Sequence, residues 1–518
     1  MGLMLHIFKK DLRRLWPAVL ITLALLAELT RLDCWRKDWL ATSAEGWLNL
    51  LLPLTWACLI GLLVQQEPLV GDRHFWITWP YRWQALLASK AMFILVFVHF
   101  PALITDATIL AFHGFHPMEY ASRLISKQLL LAATVTVPAL GLGTLFENIA
   151  AFLLAAMVII GAAAYLVGTY EPLRAPWLPT DEIRGGLATG VLALTAGVII
   201  LVQYARRRTA PSRIAGAGAM FFAGLLFGYL PPTVIARIRS TLHPAAADIS
   251  LHLRPSRPGD TPGMEISGSG RDIVQVALPV AVSGVSDKEE VRFNALSVEM
   301  VGPDGQRYRT PSIAARRNFE KIDFDAATFP YGQRPNWVLL RLRRSIMDNI
   351  QDGTVTIRAV FEVSLHRTGQ TAWMPVGATQ TVAGVGRCSG EVIESPNVYQ
   401  GSMLKVLCES PYPISPGTQV RLWQPETGAD WKQRLGDSAP QRSGPRESWL
   451  SPLNRLETFF HLVSGTSNNS PGSRWLVPQE GLATGKLAIT PDITTAWATA
   501  DLELQNITLR DYVLKAAR

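Results

Sequence analysis

Seven apolar runs fill the first 240 residues, at 15–29, 47–64, 91–112, 129–146, 149–167, 187–204 and 214–236. Most approach the roughly 20 residues that a helix needs to cross a hydrocarbon layer, where a backbone satisfies its own hydrogen bonds only as a helix or a closed barrel. The runs are continuous rather than alternating, so they predict an α-helical membrane bundle of about seven transmembrane helices. The first run is the shortest. It follows MGLMLHIFKKDLRRLWP, whose basic region is long and which no small-residue cleavage site follows, so this start reads as part of the protein rather than as a cleavable signal.

Near Pro244 the composition changes to a polar chain dense in Gly, Pro, Ser and Thr, which divides the protein into 1–240, a permease-like membrane domain, and 241–518, a β-rich domain with room for two modules. In TVTIRAVFEVSLH, Val355, Ile357, Ala359, Phe361, Val363 and Leu365 alternate with mostly polar neighbours, the period of a strand buried on one face. LSVEMVGPDGQRYR adds a hairpin about 302–305, and IVQVALPVAV, TQVRLW, GKLAIT and ATADLELQNITL are further strands. Many short strands with turn signals predict a mostly β, sandwich-like fold. One helix is expected at 452–463, capped by Ser451, with Leu453, Leu456, Phe460 and Val463 on one face.

Lys and Arg placement sets the orientation. The dense clusters KKDLRR and RRR fall on one side of the bundle, and the rule that cytoplasmic loops are basic puts that side and the N-terminus inside. Arg123, Lys127, Arg174 and Arg184 then belong to outer loops. An odd number of spans carries the second half outside the cytoplasm. This is the arrangement of a multi-pass protein of a cell membrane, here a bacterial inner membrane, with its C-terminal domain extracytoplasmic. Cys388 and Cys408 lie in adjacent strand-like segments, GVGRCSGEV and MLKVLCESP, so a disulfide stands against two buried free thiols.

Between the second and third runs lies EPLVGDRHFWITWPYRWQALLASK, polar, Trp-rich and carrying both signs of charge. Trp76, Trp79, Tyr81 and Trp83 suit a membrane interface, while Asp72, Arg73 and Arg82 offer directional contacts to a soluble partner. The segment resembles the first cytoplasmic loop of the ABC type-2 transporter permease family. Glu67 matches its acidic residue, Asp72, Phe75 and Trp76 its Asp-x-x-Phe-Trp element, Thr78 and Pro80 its Thr-x-Pro turn, and Leu86, Leu87 and Lys90 its Leu-Leu-x-x-Lys element. IFKKDLRRLWP is similar to that family's entry helix. The resemblance covers about residues 1–235 and implies a membrane subunit that pairs with a second permease copy or paralogue and is driven by a separate ATP-binding subunit docking on Glu67, Asp72, Arg73, Phe75, Trp76, Thr78, Pro80, Arg82 and Lys90. Trp79 departs from the family, standing where a basic residue is common, and a seventh span with a large outer domain is added to the usual six.

The chain itself carries no motor. EGLATGKLA places its glycines one residue too close for a phosphate loop and has Leu487 where magnesium needs Ser or Thr. No nucleophile and base constellation points to an enzyme. His113 and His116 lack further metal ligands, no cofactor is implied, and nothing points to nucleic acid. Within the third run, Asp106 and His99 stand on about the same helix face at membrane depth. They are either part of a polar substrate or proton route or a helix–helix hydrogen bond. Gly186 with Gly190 and Gly224 with Gly228 fit the small-xxx-small pattern of close helix packing, and Pro231 and Pro232 bend the last span.

The function expected from these features is the permease subunit of an ATP-binding-cassette exporter acting on an unknown substrate in the lipid bilayer. The alternative is a membrane-anchored extracytoplasmic binding or sensing protein, whose spans only hold the β domain.

Overall fold

The computed structural model describes residues 2–35, 39–66, 83–170, 180–206, 209–245, 248–253, 273–286, 289–309, 324–328, 337–394, 402–414, 417–426, 428–435, 450–463, 476–478 and 482–513. The N-terminal half is helical: α1 (Gly2–Cys34), α2 (Trp39–Gln65), α3 (Trp83–Ile94), α4 (Phe100–Phe112), α5 (Ala121–Leu131), α6 (Val137–Gly143), α7 (Ile149–Tyr170), α8 (Thr180–Arg206), α9 (Thr209–Tyr229) and α10 (Pro232–Leu242). Among the described residues six stretches are long and apolar enough to cross a membrane: Met4–Cys34, Trp47–Gln65, Trp83–Phe112, Pro117–Gly143, Ile183–Arg206 and Thr209–Tyr229. The described apolar part of α7 is the shorter Ile149–Ile159.

Two of these stretches are continuous rods interrupted by a wide turn. Leu95–His99 joins α3 to α4, and Ala132–Thr136 joins α5 to α6, each in π-helical geometry. Pro101 and Pro138 follow immediately. A proline lacks the N–H for the carbonyl four residues back and its ring clashes with that carbonyl, so the preceding turn widens.

The bundle packs through Leu52, Trp56, Leu59, Ile60 and Leu63 of α2 against Ile7, Leu15, Val19 and Leu26 of α1 and Phe93 and Val98 of the third stretch. Gly61 lies so close to Phe152 of α7 that an added Cβ would stand 2.5 Å from the ring. At Gly186, Gly190 and Gly224 an added Cβ would meet nothing within 4 Å among the described residues.

Two further expectations change. The span placed at 214–236 ends at Tyr229, and after the extended Pro231 a separate helix, α10, starts at Pro232, packs on the β half and buries Ile235, Ala236 and Arg239. Arg123 and Lys127, assigned to an outer loop, are helical, because the fourth stretch begins at Pro117 and its first turns are amphipathic rather than uniformly apolar.

The second half is mostly β. Among the described residues the strands form four sheets in two pairs, each pair closing over one apolar core. In the first pair, Ser250–Leu253, Ile273–Ser283, Trp337–Arg343 and Phe324–Thr328 make one sheet, and Asp492–Thr508, Thr354–Thr368, Glu289–Val301 and Arg307–Arg309 the other. Val276, Leu278 and Leu340 of the first meet Val298, Ile357, Phe361 and Leu502 of the second. The second pair sets Leu404, Val406 and Phe460 against Val420, Leu422, Leu487 and Ile489. Segment 452–463 is not a helix: Asn454–Val463 is a strand paired with Ser402–Ser410. Leu456, Thr458, Phe460 and Leu462 are all buried at a period of two, and the run is rich in aromatic and β-branched residues that fit a pleated surface.

Candidate functional site

Chain direction sorts the bundle into two ends. Asp33 closes α1 and His113 closes α4 at the end that faces the β half. At the opposite end Gln65 Nε2 donates to the carbonyls of Gly143, at 3.3 Å, and Phe146, at 2.8 Å. There Arg213, at the start of α9, donates to Leu145 O at 2.9 Å.

At this far end Lys90 Nζ donates to Asp11 Oδ2 at 2.8 Å, with both side chains buried. α3 begins at Trp83, so Lys90 lies two turns inside a helix and faces α1 rather than projecting from a loop. The other expected docking residues, Glu67, Asp72, Arg73, Phe75, Trp76, Thr78, Pro80 and Arg82, lie outside the described residues. A buried pair of this kind ties two helices together, and breaking it from one side costs up to about 3–5 kcal/mol, because the remaining charge stays buried without the opposite charge facing it.

Midway along the bundle His99 and Asp106 are brought into one polar row. His99 Nδ1 lies 3.0 Å from Gln128 Oε1, and its Nε2 lies 3.2 Å from Thr136 Oγ1. Gln128 Nε2 reaches Asp106 Oδ2 at 3.5 Å, and Lys127 Nζ donates to Asp106 Oδ1 at 2.6 Å. Both π turns contribute to the row, His99 from one and Thr136 from the other. The row continues into the β half, since Lys127 Nζ also donates to Leu450 O at 2.5 Å.

Where the two halves meet, Asp33, Glu409 and Arg455 interlock with His113. Arg455 donates from Nε to Glu409 Oε1 at 2.7 Å and from Nη2 to Asp33 Oδ1. His113 Nδ1 stands 2.9 Å from Glu409 Oε2, and Ser451 Oγ donates to Asp33 Oδ2 at 2.8 Å. Arg387 Nη1 donates to the His113 carbonyl at 2.5 Å. Gly114 makes this approach possible: its φ is 82°, and a Cβ there would stand 2.9 Å from Arg387 Nη1. Burial alone would raise the Glu409 carboxyl, yet its bond with His113 and the field of Arg455 overcome this and hold it at about 2. Burial likewise disfavours the Arg455 charge, but Asp33 and Glu409 raise its pKa above the ordinary value.

A second tie runs through α10. Arg239 Nη1 donates to Glu362 Oε1 at 2.6 Å and its guanidinium lies 4.5 Å from the centre of the Trp497 ring. Here burial dominates and raises the Glu362 carboxyl in spite of Arg239.

Cys388 and Cys408 are joined in a disulfide, which decides between the alternatives left by the sequence. They are register partners on adjacent strands, one step from the pair Arg387 and Glu409. Sequence reasoning missed Asp33, Arg387, Glu409 and Arg455. Asp33 sits unremarked at the end of an apolar run, and Arg455 lies in the segment read as a helix, where its strand face was invisible.

Ser364, His366 and Asp492 have the order of a nucleophile relay: His366 Nε2 is 2.8 Å from Ser364 Oγ and its Nδ1 is 3.1 Å from Asp492 Oδ2. All three are buried, Arg292 Nη1 donates to Asp492 at 2.8 Å, and the Gly417 backbone packs so closely that a Cβ would stand 2.0 Å from the Asp492 carboxylate. The row lies where Gly417, next to the second core, packs against Asp492 of the first.

No family model matches the chain, and no curated protein or solved structure is found similar to it.

Proposed function

We propose that the chain is the permease subunit of an ATP-binding-cassette transporter, working as an exporter, with a separate ATP-binding subunit on segment 67–90 and a second permease copy or paralogue beside it. In this reading α7 completes seven spans, the N-terminus is cytoplasmic and the β half stands outside, as a domain that receives, gates or hands on cargo. One observation carries the proposal. The two segments that resemble the permease family, the amphipathic start of α1 and the end of the loop, meet through the buried pair Asp11 and Lys90, at the end of the bundle remote from the β half. A force applied to segment 67–82 would therefore enter α1 and α3 together, and those helices reach the charged junction through Asp33 and, by way of α4, His113.

The decisive experiment is Asp72→Ala with Arg82→Ala, assayed by co-purification with a candidate ATP-binding subunit and by ATPase rate in reconstituted membranes. Each lost contact is expected to weaken docking by about 1 kcal/mol or more, so the pair lowers affinity roughly thirtyfold. Arg174→Ala serves as the control. Binding and coupling unchanged in the double variant would leave the loop an aromatic anchor and favour the anchored binding or sensing protein instead.

A further inference from the structure

Leu450 belongs to the β half by sequence but to the bundle by packing. Its side chain is 5% exposed and lies in the same apolar cluster as Trp56, Leu131 and the α1 leucines. Three residues on, Leu453 packs with Ile109, Leu110, Phe115 and Leu124. Ser451 between them is fixed to Asp33, and the Leu450 carbonyl takes a bond from Lys127. A short turn of chain is thus seated in a helical crevice by an aliphatic side chain and by its own backbone acceptor.

The crevice has more capacity than Leu450 uses. It is lined by Leu26, Leu29, Trp56, Thr105, Asp106 and Lys127, and the space left beside Leu450 is about 30 Å³, enough for water but not for a ligand. Trp56 Nε1 is buried there with no hydrogen-bond partner among the described residues. A buried donor without an acceptor costs about 1–3 kcal/mol, which a better occupant would recover. That occupant must supply an aliphatic group the size of leucine, an acceptor for Lys127 and a further acceptor for Trp56. Successive carbonyls of a peptide that carries a leucine-sized side chain meet this description.

We propose that this crevice is a binding site for an apolar peptide segment, held in the present structure by the chain's own Leu450–Leu453 loop as a displaceable plug. The paired charges Asp106 and Lys127 form its polar wall, so the site prefers a neutral backbone to a free carboxylate or amine. Opening requires the junction at Asp33, Ser451 and Arg455 to part, since Leu450 and Ser451 leave together. Neither the site nor its test needs an ATP-binding subunit, so a negative result for docking on segment 67–90 leaves the inference standing.

The test uses the full chain in phosphatidylcholine nanodiscs and a fluorescent hexapeptide of sequence SWLSPL, that of residues 448–453. Leu450→Gly empties the crevice and is expected to bind the peptide at least tenfold more tightly than wild type, with Leu450→Ala intermediate. Adding Asp106→Asn and Lys127→Met, which removes both charges together, is expected to return binding to the wild-type level. A hexapeptide carrying Asp at the leucine position should not bind. Melting temperature and elution profile report folding of each variant, and the graded Leu450→Ala chain preserves the test if Leu450→Gly fails to fold. Equal affinity of wild type and the emptied chains, equal binding of the two peptides, or occupation by laurate in preference to SWLSPL would overturn the proposal.

Discussion

Burial where two parts of a protein meet pushes a carboxyl pKa up, and Glu362 follows that rule while Glu409 breaks it. Burial raises Glu362 despite one arginine, whereas Glu409 has both His113 and Arg455 on its oxygens and is held at about 2 against an ordinary 4.5. Because the folded value is depressed, the stability that Glu409 contributes is full above 4.5 and is lost as pH falls through that value towards 2. The span corresponds to a contribution on the order of 3 kcal/mol. Glu362 has the opposite sign, so acid does not remove its contribution. Glu409→Gln should therefore lower stability by about 2–3 kcal/mol near neutrality. In thermal unfolding its difference from wild type should shrink steadily between 4.5 and 2. A difference independent of pH over that interval would show that the carboxylate does not hold the junction. At this scale the sequence revealed the cysteines and the Asp106 and His99 row, which are rare residue types in their surroundings. It hid Glu409 and Arg455, because charged residues on a polar β half are too common to mark an interface.

Beside the tie through α10, a strand pair and a loop join the halves at the charged junction. Gly386–Glu394 and Ser402–Ser410 present Arg387 and Glu409 to His113, and the Cys388–Cys408 bond crosses the same pair one register step away. The bond closes a loop with a sequence separation of 20, for which chain entropy suggests about 3 kcal/mol. Cys388→Ala with Cys408→Ala should lower stability by about 2–4 kcal/mol in denaturant unfolding, and combining it with Arg387→Ala should deviate from additivity by at least about 0.5 kcal/mol. Strict additivity would mean that the disulfide stabilises its module without bracing the junction. Element types were legible where the hydrophobic period was long, as in the apolar helices and in Thr354–Thr368. They were misread at 452–463, where Leu453, Leu456, Phe460 and Val463 match helical spacing while Leu456, Thr458, Phe460 and Leu462 match a strand equally well. A buried threonine decided the outcome, and its burial depends on a partner strand that is distant in sequence. The break at Pro231 was visible as a bend, but the amphipathic α10 needed the β surface that covers it.

Across the whole molecule the two halves are fastened at one end of the bundle by charges that desolvate each other, and the segment resembling a docking loop connects helices at the other end. This polarity turns topology into a single measurable question. Asp352 lies on an exposed turn of the β half and Arg206 at the α8 end remote from it. With Cys34→Ala and Cys58→Ala removing the free thiols, and Cys388 and Cys408 occupied by each other, an added cysteine is the sole target for maleimide. In intact cells a membrane-impermeant maleimide should label Asp352→Cys and leave Arg206→Cys unmodified until the cells are opened. Seven spans require that result, because an odd number of crossings separates the N-terminal basic segment from the β half. Six crossings, with the N-terminus inside and α7 not crossing, would put the N-terminal segment and the β half on one side and the α8 end on the other, because α9 still lies between Arg206 and Asp352, so the labelling of the two variants would be reversed. Labelling of Arg206→Cys alone would therefore reject seven spans with the N-terminus inside, and place the β half, its disulfide included, in the reducing compartment. Since a structural disulfide persists in an oxidising space, the oxidation state of Cys388 and Cys408 in freshly lysed cells must agree with the labelling, and the two measurements check one another.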